Sequence, residues 1–324
     1  MAASLPPVAL LTALVAIGLA CAIADASSLQ VGFYKGKCGS LNVESIIRGV
    51  VTFKYYQDPT IVPALLRLQF HDCFVNGCDA SLLLDGSASE KTAFPNLSVR
   101  GYDVIDQAKA VLESVCPGVV SCADIIVAAA RDAVVLGRGA RYEVETGRRD
   151  GKVSLASNVD LPSPFLTVSE TISAFEKKGL SPTDMVYLLG AHTVGITHCS
   201  LVRNRLYNFN GTGQPDPTMD PSLLAALRTT CPQNATTTTD NNPVFLDQNP
   251  SSTNVVDNSY YKQILMKRGV LRSIRRSLST PRRGRPSLTS QGGSFGAAMV
   301  KLGAVEVLTG SQGEIRRSCR KVNA

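Results

Sequence analysis

Tryptophan is absent from this sequence of 324 residues, and histidine occurs only three times. Any acid–base or metal-binding role of a histidine therefore falls on His71, His192 or His198. Long apolar runs are also missing, since a membrane-spanning helix needs about 20 consecutive apolar residues and no segment reaches that length. The sequence thus predicts no membrane span, and its 44% hydrophobic and 18% charged residues are typical of a globular protein.

The longest apolar run lies near the N-terminus, at residues 8–23. It is followed by Ala24-Asp25-Ala26, the small-residue pattern of a cleavage site. We therefore predict a secretory signal peptide over residues 1–26, cleaved near residues 26–29, and a single mature domain at 30–324.

Cysteine is even in number once the signal peptide is removed. Eight remain, at positions 38, 73, 78, 116, 122, 199, 231 and 319. Such a set in a secreted chain predicts four disulfides, although the spacing leaves their connectivity open. Asn96, Asn210 and Asn234 begin Asn-x-Ser/Thr sequons, which are candidate glycosylation sites in an exported protein.

Basic residues outnumber acidic ones, 33 to 26, for a net charge of +7. A secreted protein of this charge is attracted to an anionic polysaccharide matrix. Nucleic acid is a poorer partner, because the sequence has no basic patch interleaved with aromatic residues.

Helical periodicity dominates the chain. Apolar residues recur at helical spacing in residues 43–57, 63–71, 99–115, 121–135, 181–195, 258–269 and 292–307. Strand signals are few and short, as at residues 142–146. The predicted fold class is mainly α, with long irregular connections.

Two side chains on the predicted 63–71 helix suit acid–base chemistry. Arg67 and His71 are four residues apart and therefore share one face. A neutral histidine beside a permanent cation can transfer a proton while the cation stabilises developing charge. Asn96 is a candidate acceptor for the other imidazole nitrogen. The alternative is a structural histidine capped by an arginine.

The loop after this helix is rich in oxygen ligands. Asp72, Asp79 and Ser81 fall within ten residues, and Cys73 and Cys78 could close the loop. Carboxylates, hydroxyls and carbonyls from a glycine-containing loop suit Ca²⁺. The alternative is a solvated acidic turn.

The second histidine occurs in GAHTVG, residues 190–195, late in a predicted helix. By itself His192 is compatible with a structural role. Together with His71, it could face the opposite side of a planar cofactor as a metal ligand. His198 stands beside Cys199 without an evident partner, so we interpret it as structural.

These pieces together resemble the secretory plant peroxidases, class III of the plant-type haem peroxidases. The resemblance runs from about Val31 to Val322. It is carried by RLQFHDCFVNGCDASLLLD, SEKTAFPN, ESVCPGVVSCADI, GRRDG, LPSPF, LLGAHTVG, RLYNF, VDNSYY and KLGAVEVLTGSQGEIRRSC, which keep the family's order and spacing.

The resemblance implies a two-lobed haem peroxidase fold with haem b between distal and proximal lobes. His71 would transfer the proton of bound H₂O₂, Arg67 would stabilise charge, and Asn96 would orient His71. His192 would be the axial iron ligand. Two reducing molecules would then be oxidised, one electron each, and phenolic donors would approach near Pro162.

Further pairs and ligands follow from the resemblance alone. The implied disulfides are Cys38–Cys116, Cys73–Cys78, Cys122–Cys319 and Cys199–Cys231, and the implied buried ion pair is Asp124 with Arg148. A distal Ca²⁺ would be held by Asp72, Val75, Gly77, Asp79 and Ser81, with Glu90 joined through water. A proximal Ca²⁺ would be held by Thr193, Asp247 and Asp257.

The proximal calcium loop departs from the family pattern. Asp247 and Asp257 are ten residues apart, where the family usually has eight, and Pro250 stands where a threonine ligand is expected. Ser251 or Ser252 could substitute for that threonine.

A second departure lies after the 258–269 helix. The family has an aspartate there that accepts the axial histidine's N–H, but Ile274 stands at that position. Six arginines and no acid fall between Arg272 and Arg285. The genetic code permits codons for residues 273–289 that, in a shifted reading frame, encode a family-like sequence. That sequence begins with the missing Asp. A local frameshift is one explanation, and a diverged basic loop is the other.

The predicted function is H₂O₂-dependent, one-electron oxidation of phenolic donors by a secreted haem peroxidase, in the cell wall or the vacuole. It would serve phenolic coupling, lignification or peroxide removal, and the family suggests a monomer. One alternative is a weakly active haem-binding wall protein, because the acid partner of His192 is missing. A zinc hydrolase is a further alternative, but this sequence lacks the three clustered metal ligands that such an enzyme needs.

Overall fold

The structure is a computed structural model that describes residues 29–271 and 295–324, except 235, 237, 238 and 240. Ten α-helices are the main regular elements of this part of the chain. They are α1 Val43–Gln57, α2 Ile61–Cys73, α3 Tyr102–Val115, α4 Cys122–Leu136, α5 Val168–Lys177, α6 Pro182–Leu189, α7 Cys199–Tyr207, α8 Pro221–Thr230, α9 Ser259–Leu265 and α10 Phe295–Gly303.

Four short strands form two small antiparallel sheets. They are β1 Gln30–Val31, β2 Glu145–Thr146, β3 Ile196–His198 and β4 Pro243–Phe245. Gln30 pairs with Thr146 in the first sheet, and Thr197 pairs with Val244 in the second. The mainly α prediction is confirmed. Among the described helices, none combines the length and apolarity that a bilayer crossing requires.

Helix α4 is the centre of the main core. Thirteen consecutive residues, Cys122 to Val134, are buried, so this helix has no solvent face over most of its length. Its run of alanines at 128–130 lets the neighbouring helices α1, α2 and α3 approach closely. Burying each larger aliphatic side chain around it contributes about 1.5–3 kcal/mol.

A second, smaller apolar cluster joins α7, α8 and β4. Val202 and Leu206 from α7 pack with Leu223 and Leu227 from α8, and Val244 from β4 completes the cluster. The cluster surrounds a disulfide, so the region after the second histidine has its own core.

The structure contains four disulfides. They are Cys38–Cys116, Cys73–Cys78, Cys122–Cys319 and Cys199–Cys231, the same four pairs that the family resemblance implies. Cys21 lies outside the described residues.

Most helix predictions are confirmed, with differences at the ends. Residues 43–57 are helical as predicted, whereas α3 begins only at Tyr102, because Gly101 has a φ of +99° that a right-handed helix does not allow. The predicted 181–195 helix is wrong beyond Leu189, where a 3-10 turn, Gly190–Thr193, takes over. The predicted strand at 142–146 shrinks to Glu145–Thr146.

Candidate active site

Helix α2 positions the first two candidate catalytic side chains. Arg67 and His71 project from the same side of the helix, one turn apart. Arg67 Nη2 donates to the carbonyl of Pro95 at 2.7 Å, which fixes the guanidinium. His71 is 6% exposed, so its imidazole is almost fully enclosed by protein.

A short hydrogen-bonded chain orients His71. Its Nδ1 lies 2.6 Å from Oδ1 of Asn96. Nδ2 of Asn96 donates in turn to the carbonyl of Glu90 at 2.8 Å. Because the amide nitrogen is committed to Glu90, the amide oxygen faces His71 and must accept from it. The Nε2 atom of His71 is therefore the one free to take up a proton.

The electrostatics keep His71 neutral. Burial and, to a lesser extent, the Arg67 charge lower the pKa of His71, the hydrogen bond to Asn96 partly opposes them, and the net pKa is about 4. Burial also lowers the pKa of Arg67, although a guanidinium stays charged under all ordinary conditions. The pair is thus a neutral base beside a fixed cation.

His192 lies on the 3-10 turn that follows α6. Helix α6 begins with a capping box of Ser181 and Asp184 and with Pro182 at its first position, so its start is well defined. The ring of Tyr260 packs edge-on against the His192 ring, with 5.6 Å between centroids. Nδ1 of His192 is buried and has no hydrogen-bond partner among residues 29–271 and 295–324.

The charge of Arg67 lowers the pKa of both histidines. Burial lowers the pKa of His192 to about 4, and the Arg67 charge contributes to that shift as it does for His71. The turn bearing His192 also contacts α2 directly. Arg67 is therefore close to both imidazoles, and the two neutral rings border one common region of the fold.

The loop after α2 gathers oxygen atoms that lack partners. Asp72, Ser81 and Glu90 are each at most 1% exposed. Each has one side-chain oxygen that makes no hydrogen bond within the described part of the chain. These atoms are Asp72 Oδ1, Ser81 Oγ and Glu90 Oε2. Asp79 is 6% exposed and directly follows the loop that the Cys73–Cys78 disulfide closes.

These buried acids repel one another. Burial raises the pKa of Asp72 well above its ordinary value, and the charges of Asp79 and Glu90 raise it further. Burial likewise raises the pKa of Glu90 to about 7. Buried carboxylates without partners are costly, and a hard cation with oxygen ligands removes that cost.

The main-chain part of this loop is held from outside. Lys178 Nζ donates to the carbonyl of Val75 at 3.0 Å and pairs with Glu306 at 2.7 Å. Gly77 has a φ of +89°, and a Cβ there would meet the Glu306 carbonyl oxygen at 2.3 Å, so only glycine fits.

Three-residue metal clusters do not occur in the described ranges. No group of three His, Cys, Asp or Glu side chains there has the geometry to hold a metal ion. A cation in the distal loop would therefore depend on Asp72 and Asp79 supplemented by hydroxyl and carbonyl oxygens.

The proximal set is also brought together, but its oxygens have partners. Thr193 Oγ1 donates to Asp257 Oδ1 at 2.8 Å, and Ser252 Oγ donates to Asp247 Oδ2 at 2.8 Å. Ser259 Oγ lies 3.2 Å from the other Asp247 oxygen. Burial raises the pKa of Asp247, and Asp257 adds to the effect.

Of the two serines predicted to replace a threonine ligand, only one faces this set. Ser252 is buried against Asp247, whereas Ser251 is exposed. The proximal carboxylates already accept hydrogen bonds from hydroxyl groups. A bound cation would therefore stabilise them less than it would stabilise the distal carboxylates.

The predicted ion pair forms a buried junction. Arg148 Nη1 lies 2.8 Å from Asp124 Oδ1, and both side chains are at most 2% exposed. Tyr34 donates to the same carboxylate at 2.6 Å. Arg148 Nε also donates to the carbonyl of Gly303 at 2.7 Å, so the pair ties α4 to the end of α10.

Comparison with known proteins identifies the family to which this chain belongs. The model of the Peroxidase family matches residues 47–285. Peroxidase 60 of Arabidopsis thaliana is 51% identical over 300 residues, covering 90% of this chain and 89% of that protein. Peroxidase 57 of the same plant is 49% identical, covering 92% and 93%. Peroxidase N1 of Nicotiana tabacum is 46% identical, covering 91% and 90%.

The chain belongs to the class III plant peroxidases. It is therefore a peroxidase, an oxidoreductase that uses hydrogen peroxide to oxidise a donor. The family implies a haem cofactor, and this peroxidase has a residue that fits it. His192 is a half-buried, neutral imidazole, the form that binds a haem iron, and its buried Nδ1 has no partner in the described ranges.

Several contacts that support the site were not predicted from the sequence. The Pro95 carbonyl holds Arg67, and Ser154 Oγ accepts from the Glu90 amide at 3.0 Å. Gly151 lies against the Asp79 carboxylate, where a Cβ would meet Oδ2 at 2.0 Å. The local AFPN motif could have pointed to Pro95, but no sequence signal pointed to Lys178 or Ser154.

Two predicted features remain to be placed. Pro162 is half-buried in the connection before α5, three residues from Phe165, which is 53% exposed. Ile274 and the whole 273–289 stretch lie outside the described residues. The frameshift and the diverged basic loop therefore both remain predictions.

Proposed function

We propose that this peroxidase oxidises small phenolic donors, one electron at a time, outside the cell. The observation that carries the proposal is the neutral His71, fixed by Asn96 and accompanied by Arg67, on a helix that contacts the turn bearing a second neutral imidazole, His192. A base, a fixed cation and an available metal ligand are the groups that peroxide cleavage requires.

His71 moves the proton. With Nδ1–H donating to Asn96, Nε2 accepts a proton from hydrogen peroxide and later returns it to the departing oxygen, which leaves as water. The low pKa of His71 keeps Nε2 unprotonated at neutral pH, so the base is ready before peroxide binds.

Arg67 stabilises charge. Negative charge builds on the departing oxygen as the O–O bond breaks, and a preorganised guanidinium offsets it without reorganising. The hydrogen bond to the Pro95 carbonyl occupies one Nη and leaves other N–H groups for the oxygen.

The proposed cofactor is one haem b. His192 would bind its iron from the proximal side, with the ring orientation supported by the edge of Tyr260. The haem iron would supply the redox chemistry. Donors would meet the protein near Pro162, where the exposed Phe165 ring offers an aromatic contact.

Calcium is proposed at the distal loop, held by Asp72, Asp79 and Ser81 with the carbonyls of Val75 and Gly77, and with Glu90 joined through water. The unpartnered buried oxygens of this loop support the proposal. A proximal Ca²⁺ at Thr193, Asp247, Ser252 and Asp257 has weaker support, because those oxygens already have hydrogen-bond partners.

The remaining assignments are proposed from sequence and charge. Residues 1–26 would direct export. Without Asp25 the mature monomer has a net charge of +8, which would hold it on anionic cell-wall polysaccharide, with a vacuolar location as the alternative. A weakly active haem-binding role depends on Ile274, which lies outside the described residues.

The decisive experiment measures peroxide-dependent oxidation of guaiacol by the haem-loaded protein and its variants. We expect His71→Leu and Arg67→Leu each to reduce kcat/KM for H₂O₂ by about 10²-fold or more, with haem still bound. His198→Gln is the matched control and should keep full activity. Unchanged turnover in His71→Leu would refute the assigned role of this histidine.

A further inference from the structure

Phenols are the proposed substrates, and the chain itself carries nine tyrosine phenols. All nine lie in the part of the chain that the structure describes. Tyr56 is 80% exposed, whereas each of the other eight is buried or half-buried. The protein therefore presents a single freely accessible phenol to its surroundings.

The surroundings of Tyr56 suit an aromatic partner. Tyr56 lies in the last turn of α1, and its ring meets the half-buried Tyr55 ring edge-on at 5.7 Å. Phe53 is 57% exposed and lies three residues earlier, on the same side of the helix. A phenolic ring can pack against either of these exposed rings.

Five of the other eight phenols have sheltered hydroxyls. Tyr34 donates to Asp124 at 2.6 Å, and Tyr261 donates to the Val186 carbonyl at 2.7 Å. The hydroxyls of Tyr102, Tyr142 and Tyr260 are themselves buried. A radical arriving from solvent reaches none of these oxygens directly.

Other oxidisable side chains do not compete for the same chemistry. The chain has no tryptophan, and all eight described cysteines are in disulfides. Met266 is 53% exposed, but methionine is oxidised to a sulfoxide and does not couple to phenols.

Tyr56 is also remote from the acid–base residues. The last turn of α1 is joined to the first turn of α2 by residues 58–60, whereas His71 is in the last turn of α2. Ile61 and His71 are ten residues apart on one helix, a rise of roughly 15 Å. A group attached at Tyr56 would leave His71 and its partners undisturbed.

We propose that Tyr56 is a coupling site at which the enzyme becomes covalently attached to the phenolic product of its own activity. The inference rests on the proposed phenol-oxidising function. A donor phenoxyl radical takes the hydrogen atom of the Tyr56 hydroxyl and becomes a phenol again. The Tyr56 phenoxyl radical then joins a second donor radical through a carbon–carbon bond ortho to its oxygen.

The atoms and electrons of this reaction balance. After the bond forms, the displaced ring hydrogens move to the two oxygens and restore both phenols. Overall, Tyr56 and one donor phenol each lose one hydrogen atom, and one H₂O₂ is reduced to two water molecules. Two copies of the mature protein repel each other through their net positive charge, so a small neutral phenol is the favoured partner.

The test uses the haem-loaded enzyme, H₂O₂ and a biotin-labelled tyramide as the phenol. Wild type, Tyr56→Phe and the matched neighbour control Tyr55→Phe are compared, and peptide mass spectrometry locates the biotin. Consumption of the free phenol is followed in the same tubes.

We expect biotin on the Tyr56 peptide in wild type and in Tyr55→Phe, and loss of most of the label in Tyr56→Phe with phenol consumption unchanged. Equal labelling of Tyr56→Phe, or a label principally on another tyrosine, would overturn the coupling site while leaving the peroxidase function intact. Absence of phenol consumption in all three proteins would overturn the peroxidase function, and this inference with it.

Discussion

His71 Nδ1 lies 2.6 Å from Asn96 Oδ1, and this contact decides which imidazole nitrogen carries the proton. Asn96 Nδ2 is committed to the Glu90 carbonyl, so its oxygen can only accept from His71. The same amide thus links the base to the loop proposed to bind calcium.

Asn96→Ala removes this acceptor, so Nδ1 and Nε2 of His71 can exchange the proton and the ring can turn. General acid–base catalysis as a whole contributes about 10²–10⁴-fold, and we expect kcat/KM for H₂O₂ to fall by roughly tenfold to a hundredfold. Stopped-flow measurement of the peroxide reaction checks this. Asn204→Ala, at an exposed position on α7, is the control and should change nothing.

The Asn96 sequon should carry no glycan in the folded enzyme. Its side chain is 2% exposed, and the amide nitrogen that would bear the sugar donates to Glu90. Asn210 and Asn234 are exposed and remain candidates. Glycopeptide mass spectrometry of protein secreted from plant cells separates the three sites, and a glycan on Asn96 in active enzyme would contradict the hydrogen-bond network.

Gly151→Ala should damage the distal loop. The new methyl group would lie 2.0 Å from Asp79 Oδ2, so the carboxylate has to move. We expect lower calcium content by atomic absorption and a stability loss of about 1–3 kcal/mol, typical of overpacking. In Gly49→Ala nothing lies within 4 Å of the added Cβ, so this helical control should gain about 0.5–1 kcal/mol. Calcium content equal to that of wild type in Gly151→Ala would contradict the role of Asp79.

Asp184 should make α6 sensitive to acid. Burial would raise the pKa of Asp184, but hydrogen bonds from Lys301 and Ser181 outweigh it, and the net pKa lies below the ordinary value. The folded state therefore holds this proton less tightly than the unfolded state. The contribution is fully present above the ordinary carboxyl pKa of about 4 and is lost as the pH falls below it.

Asp184→Asn tests this linkage, because it removes both the cap charge and the pair with Lys301. We expect a cost of about 1 kcal/mol at pH 7 in urea unfolding, typical of a lost helix cap. The difference between wild type and Asp184→Asn should shrink as the pH is lowered below about 4. A difference independent of pH would show that the carboxylate charge contributes nothing.

The stretch around Ile274 is tested by sequencing the transcript across codons 262–296. An aspartate at that position would support the frameshift, and we would then expect an acid-supported His192 and ordinary turnover. If the transcript encodes Ile274, we expect a less basic axial histidine, an altered haem spectrum and slower peroxide turnover.

Residue spacing alone was enough to predict the parts of the site that lie on a single helix. Arg67 and His71 share a face because they are four residues apart, and α1 spans the residues that its periodicity predicted. The motif order was specific enough to indicate the family. The axial histidine was also indicated, but its helix ends at Leu189 and a 3-10 turn bears the ring.

Tertiary structure decided which distant groups meet. Lys178 reaches the Val75 carbonyl across 103 residues of chain, and Gly151 leaves room for the Asp79 carboxylate. Ser252, rather than Ser251, turns toward Asp247. The exposure of Tyr56 next to the half-buried Tyr55 depends equally on how α1 packs. Periodicity is a property of a few neighbouring residues, whereas contacts and exposure depend on how separate helices pack against one another.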